Sequence, residues 1–145
     1  MPSRLILTIG LPGSGKSTWA QGQAAKGLVD LVIERDIIRE QLTGDRRNHT
    51  QEPLVTRAHF SQVKWSLQAG RTVVVADTNL KRRYTREWKR LAEECGAEYE
   101  EVSFMHVPVT ECIRRDAERD NPVGEEVILR MWKSWCSSEN GGSWK

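Results

Sequence analysis

Leu5-Ile6-Leu7-Thr8-Ile9-Gly10-Leu11-Pro12-Gly13-Ser14-Gly15-Lys16-Ser17-Thr18 is the stretch on which the fold turns. Its first five residues read as a buried strand, the run from Thr18 onward reads as a helix, and Gly10 to Ser17 fill every fixed position of the phosphate-binding P-loop pattern between them. Glycine-rich backbone lets successive N–H groups turn inward around a phosphate, and the following helix adds the partial positive charge of its N-terminus. Lys16 is then placed to reach the β- and γ-phosphates of a nucleoside triphosphate and the Ser17 hydroxyl to hold Mg²⁺. Gly13, Ser14, Gly15 and Thr18 complete the cradle.

Outward from that stretch, the 145 residues leave room for one domain of ordinary size. We place it over residues 1–137 and expect a frayed tail over 138–145. With 38% hydrophobic and 29% charged residues, the chain has the balance of a soluble globular protein, and its apolar runs fall far short of a membrane span. No signal-peptide pattern precedes the first strand, so a cytoplasmic location and no membrane partner are expected. Cys95, Cys112 and Cys136 are an odd, widely spaced set that reads as reduced packing residues, and His49, His59 and His106 lack metal-ligand spacing. A net charge of +2 is too small to imply a nucleic-acid partner by itself.

The rest of the chain alternates strand and helix. Leu31-Val32-Ile33 forms a second strand that stops at Glu34-Arg35-Asp36 and leads into a short helix carrying Ile37, Ile38 and Leu42. Residues 43–51 are polar and turn-rich and read as a surface loop. A longer helix starts near Glu52-Pro53, aligns Val55, His59, Val63 and Leu67 on one face, and ends at Gly70. Val73 to Ala76 is a third strand running into Asp77-Thr78-Asn79. The next helix begins near Lys81, with Tyr84, Trp88, Leu91, Ala92 and Cys95 expected on its buried face. Glu98 to Met105 is a fourth strand, Val109 to Ala117 a helix, 119–124 a loop, and Ile128, Met131, Trp132 and Trp135 mark a last amphipathic helix. This alternation predicts an α/β fold of three layers, a mainly parallel sheet flanked by helices with a helical lid, with the first strand at its centre and ligands at the strand carboxyl ends.

Phosphoryl transfer to a hydroxyl calls for a carboxylate to take the proton, and Asp36, at the end of the second strand, is the candidate; capping of the helix that starts there is its structural alternative. Arg39, one turn on, is placed to grip a phosphate on the acceptor. Asp77 follows an apolar strand as a Mg²⁺-orienting carboxylate or a partner of Ser17 would, and equally as a cap of the next helix would. Arg115 and Arg119, four apart, are expected on one helix face as a lid over the donor phosphates, with Asp116 and Glu118 available as surface partners. Lys81, Arg82, Arg83, Arg86, Lys89 and Arg90 form a basic run that reads first as a solvated helix face and second as a track for a phosphate backbone. Among the tryptophans, Trp88, Trp132 and Trp135 fall on core-facing stripes, while Trp19 and Trp65 are unassigned.

These residues together resemble the phage-type polynucleotide 5′-hydroxyl kinases. The resemblance runs through Ile6 to Ala20, Arg35-Asp36 with Arg39, Asp77-Thr78-Asn79-Leu80, Val107-Pro108 with Thr110-Glu111, and Arg115 and Arg119 ahead of Val123, in the family's order. It implies ATP, or another nucleoside triphosphate, with Mg²⁺ as donor, and a 5′-hydroxyl end of DNA or RNA as acceptor. It further implies Asp36 as general base alongside Lys16, Arg39 on the acceptor phosphate, Val123 against the acceptor, and Arg115 and Arg119 over the donor. The phage enzyme's Asp-x-Asp-Gly-Thr phosphatase signature has no counterpart here, so removal of 3′-phosphates is not expected, and the lid loop Asp120 to Gly124 is short. A kinase of a small metabolite or antibiotic hydroxyl would share the donor machinery, and a nucleotide-dependent binding module would share the P-loop but leave Asp36 without a task.

Overall fold

The computed structural model describes residues 2–138. Four parallel strands, β1 (Arg4–Ile9), β2 (Leu31–Ile33), β3 (Thr72–Val75) and β4 (Glu98–Ser103), form one sheet in the order β2-β3-β1-β4. The helices are α1 (Lys16–Ala25), α2 (Arg35–Thr43), α3 (Glu52–Gln68), α4 (Arg82–Glu94), α5 (Val109–Ala117) and α6 (Glu125–Ser137), with a single 3₁₀ turn at His49–Gln51. The first strand is internal, as expected: Leu5 to Leu7 pair with Val73 to Val75 on one side and with Tyr99 to Glu101 on the other.

Strand periodicity sorts the core into layers. Leu5, Leu7, Val73 and Val75 point to one face, where Ile38 of α2, Val55, Val63 and Leu67 of α3, and Trp88 and Leu91 of α4 bury them. Ile6 and Val74 point to the other and pack under Ala20 of α1. The helix after β1 therefore covers one face while those after β2 and β3 cover the opposite one, and the chain diverges at the carboxyl ends of β1 and β3 to open a crevice there. Hydrogen bonds brace this divergence. Thr8 Oγ1 donates to the Asp77 carbonyl at 2.9 Å, the Gly10 N–H to Thr78 O at 3.1 Å, and Asn79 Nδ2 to Thr8 O at 2.9 Å. Asn79 is at φ 46°, a left-handed conformation that asparagine tolerates better than other side-chain-bearing residues.

A third cluster, Leu11, Cys112 and Ile128 with Met131 and Trp132, ties α5 and α6 to the loop after β1. The polar residues of β4 suit an edge: the strand pairs on one side only, is partly exposed throughout, and ends at Ser103, before the expected Met105. Two further expectations are corrected. Tyr84 is 40% exposed, with the Arg83 guanidinium 4.9 Å from its ring centroid, because the buried stripe of α4 runs through Thr85, Trp88, Leu91 and Ala92 instead. Trp135 is only half-buried, whereas Trp132, also half-buried, packs against the third cluster as its stripe predicts. The three cysteines are free thiols, and no helix among the described residues is long and apolar enough to cross a membrane. The expected tail, apart from Ser138, lies outside the described residues.

Candidate active site

One cleft of about 1220 Å³ lies over the carboxyl ends of β1, β2 and β3 and gathers Gly13, Gly15, Lys16, Ser17, Thr18, Asp36, Arg39, Asp77, Arg115, Arg119 and Val123. Ser14, the remaining site residue read from the sequence, is buried beneath the loop, and its Oγ has no hydrogen-bond partner among the described residues.

The loop is shaped as a phosphate cradle. Gly13 (φ 82°) and Gly15 (φ 99°) take left-handed backbone conformations, and a Cβ at position 13 would lie 2.3 Å from the Cys112 carbonyl oxygen. Glycine there is required twice over, by dihedral and by the close approach of α5. The N–H groups of Gly13, Gly15, Lys16, Ser17 and Thr18 donate to no other group among the described residues. Together with the unpartnered Ser14 hydroxyl, they are the donor set that a chain of phosphate oxygens satisfies. Lys16 is 8% exposed, and its Nζ donates to Leu11 O at 2.7 Å. Burial lowers its pKa to about 8, against the opposing pull of the Asp77 carboxylate.

A second side of the cleft is organised around α2. Asp36 stands in the first turn of that helix with its side chain 61% exposed to the cleft. It is not the helix cap; the cap position is Glu34, whose Oε1 accepts from Ser17 Oγ at 2.6 Å. Arg39 is buried, and four of its five N–H groups are engaged. Nη1 donates to Asp36 Oδ1 at 2.5 Å and to Arg46 O at 3.1 Å, while Nε and Nη2 donate to the Glu52 carboxylate at 2.8 Å each. These bonds raise the Arg39 pKa and lower that of Glu52 to about 2. Arg39 therefore orients Asp36 directly, and one Nη2 N–H remains for another acceptor.

Asp77 does not cap the helix that follows it, nor does Ser17 bond to it. Its Oδ1 accepts the Arg35 N–H at 2.8 Å at the start of α2, so it caps a helix remote in sequence. Its Oδ2 lies 3.1 Å from His59 Nε2 without meeting hydrogen-bond geometry. His59 is in turn wedged edge-on against Trp88, ring centroids 5.1 Å apart.

Arg115 and Arg119 both reach the cleft, but α5 ends at Ala117, so Arg119 stands in the turn beyond the helix, not on a shared helix face. Arg115 Nε donates to Glu111 Oε2 at 2.9 Å, and its Nη1 comes within 3.6 Å of where a Gly15 side chain would begin. Asp116, read as a surface partner, is 2% exposed and accepts the N–H groups of Val123 at 3.0 Å and Gly124 at 2.9 Å. It holds the lid loop in place and with it Val123, which is 39% exposed to the cleft.

Sequence reasoning missed Glu34, Glu52, His59 and Asp116 as site-building residues, and Arg46 and Arg47, which line the cleft from the loop read as plain surface. Arg47 Nη2 reaches Pro122 O at 3.4 Å across the opening. The acidic residue in the first turn of α3 was the one available signal, and it does not reveal a partner thirteen positions away.

A family model described as an AAA domain matches residues 5–137. The chain belongs to that family. Within it the fold is that of a P-loop kinase domain, and nucleotide binding follows from the cradle just described. The chain is 26% identical over 144 residues to the L-seryl-tRNA(Sec) kinase of Methanococcus maripaludis, covering 97% of this chain and 55% of that protein. It is 28% identical over 153 residues to the "Putative bifunctional polynucleotide kinase/RNA ligase" of Autographa californica nuclear polyhedrosis virus, covering 94% of this chain and 21% of that protein. The P-loop kinase domain thus spans about half of the first relative's length and a fifth of the second's. The same fold occurs in a chain of the Pnkp1/Rnl/Hen1 RNA repair complex, with a TM-score of 0.79, 22% identity, and coverage of 97% of this chain and 46% of that one.

Proposed function

We propose that this domain is a polynucleotide 5′-hydroxyl kinase that moves the γ-phosphate of ATP, or another nucleoside triphosphate, to the 5′-hydroxyl of DNA or RNA. The observation that carries the proposal is the exposed Asp36 carboxylate, oriented by Arg39 in the same cleft as the P-loop. A nucleotide switch has no need of such a group, whereas transfer to a hydroxyl does. The kinase-containing viral relative supports the nucleic-acid acceptor, as does the set of arginines at positions 39, 46 and 47 on the acceptor side.

In this reading the loop amides and Lys16 hold the donor phosphates, Arg115 and Arg119 neutralise charge on their outer side, and Asp36 takes the proton of the attacking hydroxyl. Arg39 is first a positioning residue for Asp36, and its remaining N–H serves the acceptor phosphate; Val123 packs against the acceptor nucleoside. Hard oxygen donors suit Mg²⁺, and Ser17 Oγ with the Glu34 and Asp77 carboxylates at the ends of β2 and β3 is the set that would hold it. Bound there, the ion would add charge neutralisation on the donor phosphates.

The deciding experiment is transfer of labelled γ-phosphate to a panel of 5′-hydroxyl oligonucleotides, nucleoside 3′-monophosphates, seryl-tRNA, and sugar or antibiotic alcohols. Phosphorylation of the first two classes is expected. Inactivity on every 5′-hydroxyl nucleic acid, with ATP demonstrably bound, overturns the proposal.

A further inference from the structure

A second concavity, of about 490 Å³, opens between the start of α4 and the outer face of α6. It is continuous with the main cleft, because Val127 and Met131 line both. Four-residue spacing puts Val127, Met131 and Trp135 on one stripe of α6, so an apolar rail leads out of the cleft along this groove. Its walls carry Lys81 and Arg82 from the start of α4 and Arg130 from α6, and no carboxylate among the described residues lines it. None of these three cations makes an ion pair or a side-chain hydrogen bond among the described residues. Of the cleft arginines, Arg39 pairs with Glu52, Arg115 with Glu111 and Arg119 with Asp116, while the Arg47 side chain reaches only the Pro122 carbonyl among the described residues. Concentrated positive charge beside a half-buried apolar strip is the chemistry that holds a single nucleic-acid strand, phosphates against the cations and bases along the apolar edge.

The groove also divides the basic run at 81–90. Lys81 and Arg82 enter it, whereas Arg83 lies on Tyr84 and Arg86, Lys89 and Arg90 are exposed elsewhere on α4. It meets the cleft at Val127 and Met131 of α6, and Val127 lies four residues beyond Val123, the cleft residue assigned above to the acceptor nucleoside.

We infer that the groove is a strand-binding subsite which receives the nucleotides next to the terminal one of a single-stranded acceptor. The inference rests on the nucleic-acid reading of the main cleft. Wild type should then use 5′-hydroxyl oligonucleotides of three to five nucleotides at least about ten times better, in kcat/KM, than a nucleoside 3′-monophosphate.

The test compares wild type with the triple variant Lys81→Gln, Arg82→Gln, Arg130→Gln and with a control, Arg86→Gln, Lys89→Gln, Arg90→Gln, all checked for unchanged melting temperature. The groove variant should lose most of the length advantage, keep activity on the 3′-monophosphate, and bind a fluorescent 5′-hydroxyl oligonucleotide with a salt slope reduced by up to about 2, roughly 0.7 for each neutralised phosphate. The charge-preserving variant Lys81→Arg, Arg82→Lys, Arg130→Lys should restore both properties. An undiminished length advantage and unchanged strand binding in the groove variant, or an equal loss in the control, overturns the subsite. Strand binding, read by anisotropy, decides it apart from catalysis. If no 5′-hydroxyl acceptor is phosphorylated the kinase reading falls, and selective loss of binding in the groove variant still supports the subsite.

Discussion

At the scale of single residues, Asp36 and Arg39 carry the sharpest expectations. Removing the base while keeping its shape, as in Asp36→Asn, should lower kcat by roughly 10² to 10⁴ and leave ATP affinity nearly unchanged; steady-state kinetics with a binding titration reads both. Because Arg39 already bonds to Asp36 and Glu52, Arg39→Ala should reduce kcat on every acceptor, including one without a 3′-phosphate, in addition to raising KM for those that have one. An effect confined to KM would return Arg39 to a pure phosphate contact. Glu52 provides an independent check on this network. Its carboxyl is held near 2 in the fold against an ordinary value of 4.5, so the stability from the Arg39 pair is complete above about pH 4.5 and is lost as pH falls toward 2. Glu52→Gln should flatten that acid limb in thermal melts taken across pH 2.5 to 7. Lys16 behaves in the opposite sense. Its ammonium loses its proton near pH 8 in the free protein, and phosphate contact favours the charged form, so affinity for an ATP analogue should fall as pH rises through 8 to 9 and should stop doing so in Lys16→Arg.

Elements place those residues, and the contacts between elements are where local reading gives out. Helix α2 starts under a carboxylate from β3, not under its own cap, and the lid loop after α5 hangs on the buried Asp116. Asp116→Ala should cost about 2 kcal/mol through two lost charge-assisted bonds and should free Val123, raising acceptor KM more than donor KM. Gly13→Ala sets a Cβ against the α5 backbone at 2.3 Å in a left-handed conformation, so α5 must move off the loop. Loss of nucleotide binding with a lowered melting temperature is the expected result, measured by calorimetry and by melts. Sequence periodicity located all four strands and the helices because burial on one face repeats every two residues in strands and every three to four in helices. It misplaced Tyr84, and although it ended the helix at Ala117 as observed, four-residue spacing read Arg119 onto the face shared with Arg115, which the helix does not reach.

For the molecule as a whole, binding at the cleft should couple to stability. A non-hydrolysable ATP analogue at a hundred times its Kd adds about 2.7 kcal/mol, which for a chain of this size raises the melting temperature by about 5 to 10 °C. A shift seen with Mg²⁺ present and absent from Lys16→Ala would locate that coupling at the P-loop. Strand alternation and the run from Gly10 to Ser17 were enough, as plain sequence, to determine the α/β class, the central position of the first strand, and phosphate binding at its carboxyl end. Those features depend on spacing within a few residues, and short-range geometry is written directly into residue order. What the tertiary structure alone decided is which charges meet: Arg39 with Glu52, Asp77 with the start of α2, Asp116 with the lid, and Lys81, Arg82 and Arg130 around one groove. Residues far apart along the chain are brought within hydrogen-bond reach only by the packing of layers. A charged side chain on a helix surface carries no local mark of whether the fold will bury it against a partner or leave it free for a ligand.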